Sequence, residues 1–356
     1  MGPKQSAIGV AVFVALGLAA PALAQSSRVA LDVVAAVDGD SGSQVRREPT
    51  GWFDLFGAIR LADNLDFRAR PVVYRRSFNG TWTTQVYELA LRYERPGALG
   101  LRLEAGQLSS PVGLSILENR PDRNPVVSPH STLYLPIPRY EAGTPATYLL
   151  AASYPLGARV TVSGAKWDAR AAITDSSAIR GRPFFGDNKP PRMANYMVGA
   201  GFTPHIGLRI GGAVALGPYA GASEVRNRAR GDRHARLVQI EGEWSFGYTR
   251  LAGEWLLTER ELALSDAQVD GGWFEVTQTL APRVFAAARY DEQWTRWTSV
   301  AGDELNAPYR RLETGVGFRV TPELTLRGTY MTRKGYVVDF WDDQFLASIV
   351  FAKKLM

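Results

Sequence analysis

The sequence predicts an all-β fold: a transmembrane, antiparallel, up-and-down β-barrel of about sixteen strands whose long third outer loop folds inward. Three observations predict it. Apolar residues recur at every second position through most of the chain, the period of a strand with one oily face. Connections alternate between short turns and long segments rich in Gly, Asp, Asn and Arg, which is the asymmetry of a barrel with short periplasmic turns and longer outer loops. Beyond the N-terminal segment the purest apolar run is Val33 to Val37, far too short to cross a bilayer as a helix.

Residues 1–24 are set apart from the fold. Lys4 gives a positive start, Ala7 to Ala20 is apolar, and Pro21-Ala-Leu-Ala24 ends in small-x-small, which together read as a cleaved signal peptide of an exported chain bound for the bacterial outer membrane. Residues 25–356 then form the barrel as one domain. The chain contains no cysteine, which excludes disulfides and thiolate metal sites. A net charge of +6 would suit nucleic acid, but the arginines are spaced along strands instead of clustered, so no nucleic-acid partner is expected.

Taken in order, Val29, Leu31, Val33, Ala35 and Val37 alternate until Asp38 to Ser43 breaks the run. Phe53 to Leu61 is the next oily face, Ala62-Asp-Asn64 turns, and Leu65, Phe67 and Ala69 continue. After Ser77 to Gly80, the residues Tyr87, Leu89, Leu91 and Tyr93 share one face opposite Glu88, Ala90 and Arg92, the pattern of a lipid-facing strand between aromatic girdles. Leu99, Leu101, Leu103 and Ala105 then oppose Arg102 and Glu104.

The rhythm stops there. Pro111, Pro121, Pro125, Pro129, Pro136 and Pro138 follow, and neither strand nor helix runs through such spacing. Residues 109–143 are therefore expected to form a loop that narrows the lumen, because a connection this long inside a compact domain is functional or disordered. Strands resume with Tyr148 to Tyr154, a turn at Pro155-Leu-Gly157, then Val160 and Val162. Residues 174 to 192 form a second long loop. Strand pairs then turn near 203–206, 246–248, 281–283 and 321–323, and a last strand lies around Phe345 to Phe351. The Trp and Tyr residues, placed mostly near strand ends, fit a bilayer interface better than a soluble sandwich.

Gly106-Gln-Leu-Ser-Ser-Pro111-Val-Gly-Leu114, arriving at the end of a charged strand and opening the long loop, resembles the corresponding stretch of the phosphate-selective porin-like proteins, and the chain as a whole resembles Gram-negative porins. That resemblance implies sixteen strands, a third outer loop folded into the lumen and a homotrimer. The chain departs from the pattern at its end, where Phe351 is followed by Ala-Lys-Lys-Leu-Met356.

If the oily faces meet lipid, the alternate positions face a lumen. These include Arg60, Arg68, Arg70, Arg92, Arg209, Arg250, Arg289, Arg311, Arg319 and Arg327, with fewer acids such as Asp54, Asp66, Glu88, Glu104, Glu241, Glu254 and Glu313. Excess arginine in a low-dielectric wall favours anions. The residues expected to set selectivity at the neck are Arg102, read as ending the strand that feeds the loop, and Arg120, Arg123 and Arg139 within it. The expected partners are outer-membrane lipid and small hydrophilic solutes with a leaning towards anions. An adhesive or structural barrel with a closed lumen is the alternative.

Bond chemistry finds little support. His130-Ser131 is the sole adjacent pair of base and nucleophile, and the three histidines are scattered, so no catalytic residue and no metal are expected. No glycine-rich phosphate loop follows a strand and opens a helix, so no cofactor is expected either.

Overall fold

The computed structural model describes residues 29–41, 50–75, 81–117, 119–138, 145–180, 193–225, 231–298, 302, 304–335 and 342–355. The segment read as a signal peptide and Arg139 lie outside the described residues. Sixteen strands follow one another: β1 (Val29–Ser41), β2 (Thr50–Ala62), β3 (Leu65–Arg75), β4 (Trp82–Arg95), β5 (Gly100–Gln107), β6 (Leu156–Ser163), β7 (Trp167–Thr174) and β8 (Asn195–His205) make the first half. The second half is β9 (Leu208–Ala220), β10 (Arg233–Phe246), β11 (Thr249–Glu261), β12 (Asp266–Ala281), β13 (Val284–Thr298), β14 (Glu304–Arg319), β15 (Leu324–Lys334) and β16 (Asp342–Lys354). Each strand pairs antiparallel with its neighbours in sequence, and β1 closes on β16 with Val37 opposite Ile349. No edge is left, which is the condition for a sheet to stand in hydrocarbon.

The burial pattern is inverted relative to a protein dissolved in water. On β10, Ile240 is 63% exposed while its neighbours Gln239 and Glu241 are 1% and 6% exposed. Leu91, Val198, Phe202, Ile210, Phe274 and Ile349 are likewise exposed, whereas Arg289 and Glu313 are fully buried. Outward large apolar residues all round a closed wall are stable only against lipid. Trp244, Phe246, Tyr248, Phe202 and Trp167, all exposed, ring the end that carries the short turns, where amphipathic aromatic rings meet the headgroups.

The short turns lie where the sequence puts them, with one exception. The run Tyr148 to Tyr154 is not a strand; it lies inside the lumen, with Leu149 and Leu150 fully buried. Pro155 precedes β6, Leu156 and Gly157 begin it, and the short turn is 164–166. Alternation alone misreads this stretch because it packs against the third loop and Ile179 instead of a strand partner: Leu150 N–H donates to Thr132 O at 3.0 Å and Tyr148 N–H to Ile179 O at 2.9 Å. The third long connection accordingly runs from 108 to 155.

Other expectations are corrected as well. β1 continues through Asp38 to Ser41, which pair with Ser348 to Phe345 of β16. The connection from β11 to β12, on the long-loop side, is only residues 262–265. Tyr87 does not face lipid: the register of β3 on β4 shifts between Arg70 and Pro71, and this bulge turns Tyr87 inward, where it is 3% exposed. Finally, Arg102 opens β5 instead of ending it, so it stands at the short-turn end of the wall, remote from the loop.

Candidate functional site: the loop across the lumen

Between β5 and β6 the chain turns into the barrel. Gly106, at a φ of +133°, lets β5 swing inward, since any side chain there would strike the Leu89 carbonyl. The two limbs are zipped where they enter and leave, Leu108 N–H to Pro155 O at 2.9 Å and Ser110 N–H to Ser153 O at 3.1 Å. Two short helices follow, α1 (Leu114–Leu117) and α2 (Ser131–Tyr134).

A proline-broken loop cannot satisfy its own backbone, so the wall does it. Glu254 of β11 accepts from Leu114 N–H at 2.6 Å, from Ser115 N–H at 3.3 Å and from the Ser115 hydroxyl. Asp291 of β13 accepts from Ser131 N–H at 3.0 Å and from its hydroxyl at 2.9 Å. Glu313 of β14 accepts from Ser128 N–H at 3.0 Å and from its hydroxyl.

Arginines on β13, β14 and β15 supply the complementary donors, which the five N–H groups of a guanidinium make possible. Arg289 donates to Asn124 Oδ1 at 3.1 Å, to Ser128 O at 2.5 Å and to Glu313 at 3.0 Å. Arg311 donates to Pro129 O at 2.8 Å and Asp291 at 3.0 Å. Arg327 donates to the carbonyls of Pro121 at 2.9 Å, Val126 at 3.1 Å and Asn124, and to Ser348 Oγ at 3.0 Å.

The return limb is held by different physics. Val112, Ile116, Leu133 and Leu150 of the loop pack with Ile179 and with the inward residues Met197, Leu237, Leu256 and Val269 of β8 to β12 in one dry cluster. Gly113, at a φ of +96°, is required at the centre of this packing because a side chain would overlap Leu150. On the opposite wall Tyr154 stacks on Tyr87 with centroids 3.8 Å apart, beside the Trp52–Tyr74 stack. Asn119 joins the limbs, donating to Tyr154 OH at 3.2 Å and accepting from Tyr134 OH at 3.0 Å. Burial pushes the Tyr154 phenol up to about 12, so this seam stays uncharged in the neutral range.

Nearer the mouth, Arg180 ties the β7–β8 connection to Glu224 of the β9–β10 connection at 2.8 and 2.9 Å. Burial works to raise the Glu224 pKa, but the Arg180 hydrogen bond, the Gly221 N–H and the Arg180 charge together hold it below the usual carboxylate range.

Arg120 is engaged by Asp122 through hydrogen bonds of 2.9 and 3.3 Å, while Arg123 is exposed and donates to Leu117 O at 3.3 Å. Arg102 and Arg92 both reach Glu94, Arg102 at 2.9 Å. Arg70 pairs with Asp54 at 2.6 Å, Arg159 with Glu104 at 2.7 Å, and Arg209 with Glu241 at 2.5 Å and Asp168 at 3.1 Å. Arg60 lies 3.9 Å from Asp66 and Arg68 lies 4.0 Å from Glu88. Arg319 stacks over Phe285 at 5.1 Å. The structure thus brings Arg311 and Arg327 to the loop, together with Arg289, and leaves Arg60, Arg68, Arg92, Arg102 and Arg209 along the wall below it.

Sequence reasoning missed Asp291 altogether, as it did Arg260 of β11, which donates to Pro138 O at 3.2 Å and to the Thr147 hydroxyl, and it missed that Glu254, Arg289 and Glu313 seat the loop. The available signal was the pair of spacings Arg289-x-Asp291 and Arg311-x-Glu313, inward charges two residues apart on neighbouring strands. The Ser131 hydroxyl is spent on Asp291, and the His130 ring lies 4.3 Å from the Trp273 ring, so this pair packs the loop against the wall.

These features define a transmembrane β-barrel with a polar, water-compatible lumen crossed by an inserted loop. No family model matches the chain and no curated sequence is significantly similar to it. Solved structures do match its fold. OmpT, expressed in the outer membrane of Vibrio cholerae, is 10% identical with a TM-score of 0.62, covering 92% of this chain and 99% of that one. OmpF of Salmonella typhi is 10% identical with a TM-score of 0.61 over 91% and 97% of the two chains. The anion-selective porin of Comamonas acidovorans is 10% identical with a TM-score of 0.54 over 92% and 99%. The fold is that of the outer-membrane porins; these likenesses do not single out the phosphate-selective family.

Proposed function

We propose that the protein is a passive diffusion channel of the bacterial outer membrane for small hydrophilic solutes, leaning towards anions. The observation that carries this reading is the inverted wall, apolar outside and charged inside, around a loop held to opposite sides of the lumen. A wall of sixteen strands leaves an aqueous lumen, and the inserted loop narrows it without bond chemistry. Most wall arginines are cancelled by a neighbouring carboxylate or, like Arg327, buried against loop carbonyls, so the leaning rests on exposed ones such as Arg123 of the loop, held by a carbonyl, and Arg319 of the wall, stacked on a ring. Arg102 and Arg120, each ion-paired, contribute less, and Arg139 belongs to the same loop.

Planar-bilayer recording under a potassium chloride gradient tests this. The reversal potential is expected on the chloride side, and Arg123→Ala with Arg319→Ala should lower the chloride-to-potassium permeability ratio roughly twofold, the scale of solvent-exposed charge interactions. A cation-directed potential in the unaltered protein would reject the anion leaning. The dry cluster that fills part of the outer half favours one other reading, a closed structural barrel, and a protein that inserts but never conducts would establish it.

The reading includes a homotrimer. Strands β5, β6 and β7 have only eight residues each, fewer than the about nine to eleven that a tilted strand needs to cross hydrocarbon. Over them lies an outward apolar hollow of about 660 Å³ floored by Ala105, Ala158 and Ala171. A second copy covering this low wall relieves the mismatch. Light scattering in detergent should report three copies for the unaltered chain and a shift to one for Ala158→Trp, which fills the hollow; a monomer before substitution would remove the trimer.

A further inference from the structure

The inserted loop is not uniformly polar where it meets water. Leu117 is 54% exposed and Tyr134 is 40% exposed, although each ends a short helix whose preceding residues, Ser115 and Ile116 in one and Thr132 and Leu133 in the other, are buried. The loop is tied to β13 and β14 by Asp291 and Glu313 and to β4 by the Tyr154–Tyr87 stack. Side chains left exposed on a segment held between opposite walls face the passage.

A cation stands beside them. The Arg123 guanidinium donates to the Leu117 carbonyl at 3.3 Å, and Asn119, two residues after Leu117, accepts from Tyr134 OH at 3.0 Å. The acid nearest in sequence among the described residues, Asp122, is taken by Arg120 through two hydrogen bonds. A branched alkyl group, a phenol ring and a guanidinium are therefore all on the exposed surface of the loop, joined through the Leu117 carbonyl and Asn119. Burial of its hydroxyl raises the Tyr134 pKa, so the ring carries no charge that would repel an anion.

We propose that this surface makes the channel discriminate among anions, favouring small monocarboxylates that carry a ring or a branched alkyl group over acetate and inorganic anions. It rests on the channel reading given above. The carboxylate pairs with Arg123 while the apolar part covers Leu117 and the Tyr134 ring. An inorganic ion gains only the first contact, and a strongly hydrated one gains little from an exposed charge. An organic acid adds apolar burial in proportion to the area it covers.

The test is chloride current through the full chain in a planar bilayer, with sodium acetate, benzoate or cyclohexanecarboxylate added. Benzoate and cyclohexanecarboxylate should interrupt the current at concentrations about tenfold below acetate, the ratio expected from burying part of a ring. Leu117→Ser should shrink that gap to about threefold, as should Tyr134→Ala. Tyr134→Phe, which keeps the ring, should preserve it, and Arg123→Gln should weaken all three acids. Because Leu117 is exposed, its variant tests the claim even if Tyr134→Ala disturbs the loop. Equal block by benzoate and acetate in the unaltered channel would overturn the inference while the chloride current upholds the channel. A gap that survives Leu117→Ser would overturn it too. Absence of any chloride current would instead remove the channel reading itself.

Discussion

Glu313→Ala is expected to lower the thermal stability of the folded barrel and raise its conductance in the same variant. Glu313 is fully buried, as is Arg289, which it meets at 3.0 Å. Arg289 also lies 3.4 Å from Asp291 and 3.8 Å from Glu275, so the site is a network of opposed charges that compensate one another. Removing one partner of a buried pair leaves the other charge uncompensated, at a cost of roughly 3–5 kcal/mol. The same carboxylate holds Ser128 through its N–H and its hydroxyl, so the loop loses its seat on β14 together with the stability. Thermal unfolding in detergent and single-channel conductance read the two effects. Glu313→Gln, which keeps an acceptor for Ser128, should fall between the two. If conductance stays unchanged while stability drops, Glu313 serves the wall alone and does not hold the loop.

Leu150→Ala should release the return limb while leaving the barrel closed. Leu150 is fully buried among loop and wall residues and lies against Gly113. Truncation of a buried leucine costs about 2–5 kcal/mol, the upper part of the range applying where a cavity cannot collapse. The stave-like pairing of the strands does not pass through this residue, so the loss is confined to the loop. Protease added to the folded protein should then cut between residues 145 and 155, and resistance equal to that of the unaltered chain would show that the aromatic seam alone holds this limb.

The barrel was legible because one physical fact, hydrocarbon on one side and water on the other, is written at every second residue of nearly every strand. Ile240 between Gln239 and Glu241 says it in three letters. What the period could not reveal was where it is interrupted. The bulge that turns Tyr87 inward leaves no mark in β4, whose residues go on alternating. Tyr148 to Tyr154 alternates too, yet it is packed in the lumen, because an apolar cluster and a lipid-facing strand present the same pattern to a reader of one chain. The loop itself was legible from its prolines, but its seats were not. Ser128 and Arg289 lie 161 residues apart, and nothing local in either predicts the other. For the same reason proximity to the loop in sequence does not identify the neck: Arg102, three residues into β5, is near the loop in number but at the opposite end of the strand.

The seats of the loop have a consequence for the order in which the molecule is made. Residues 121 to 131 are held by Arg289, Asp291, Arg311, Glu313 and Arg327, all of them contributed by β13 to β15. A chain halted at residue 283 would already contain the whole insertion and none of these five side chains. This stretch, synthesised in the first half, is seated on the wall by what is synthesised last, so closing the cylinder and seating the middle of the insertion are one event.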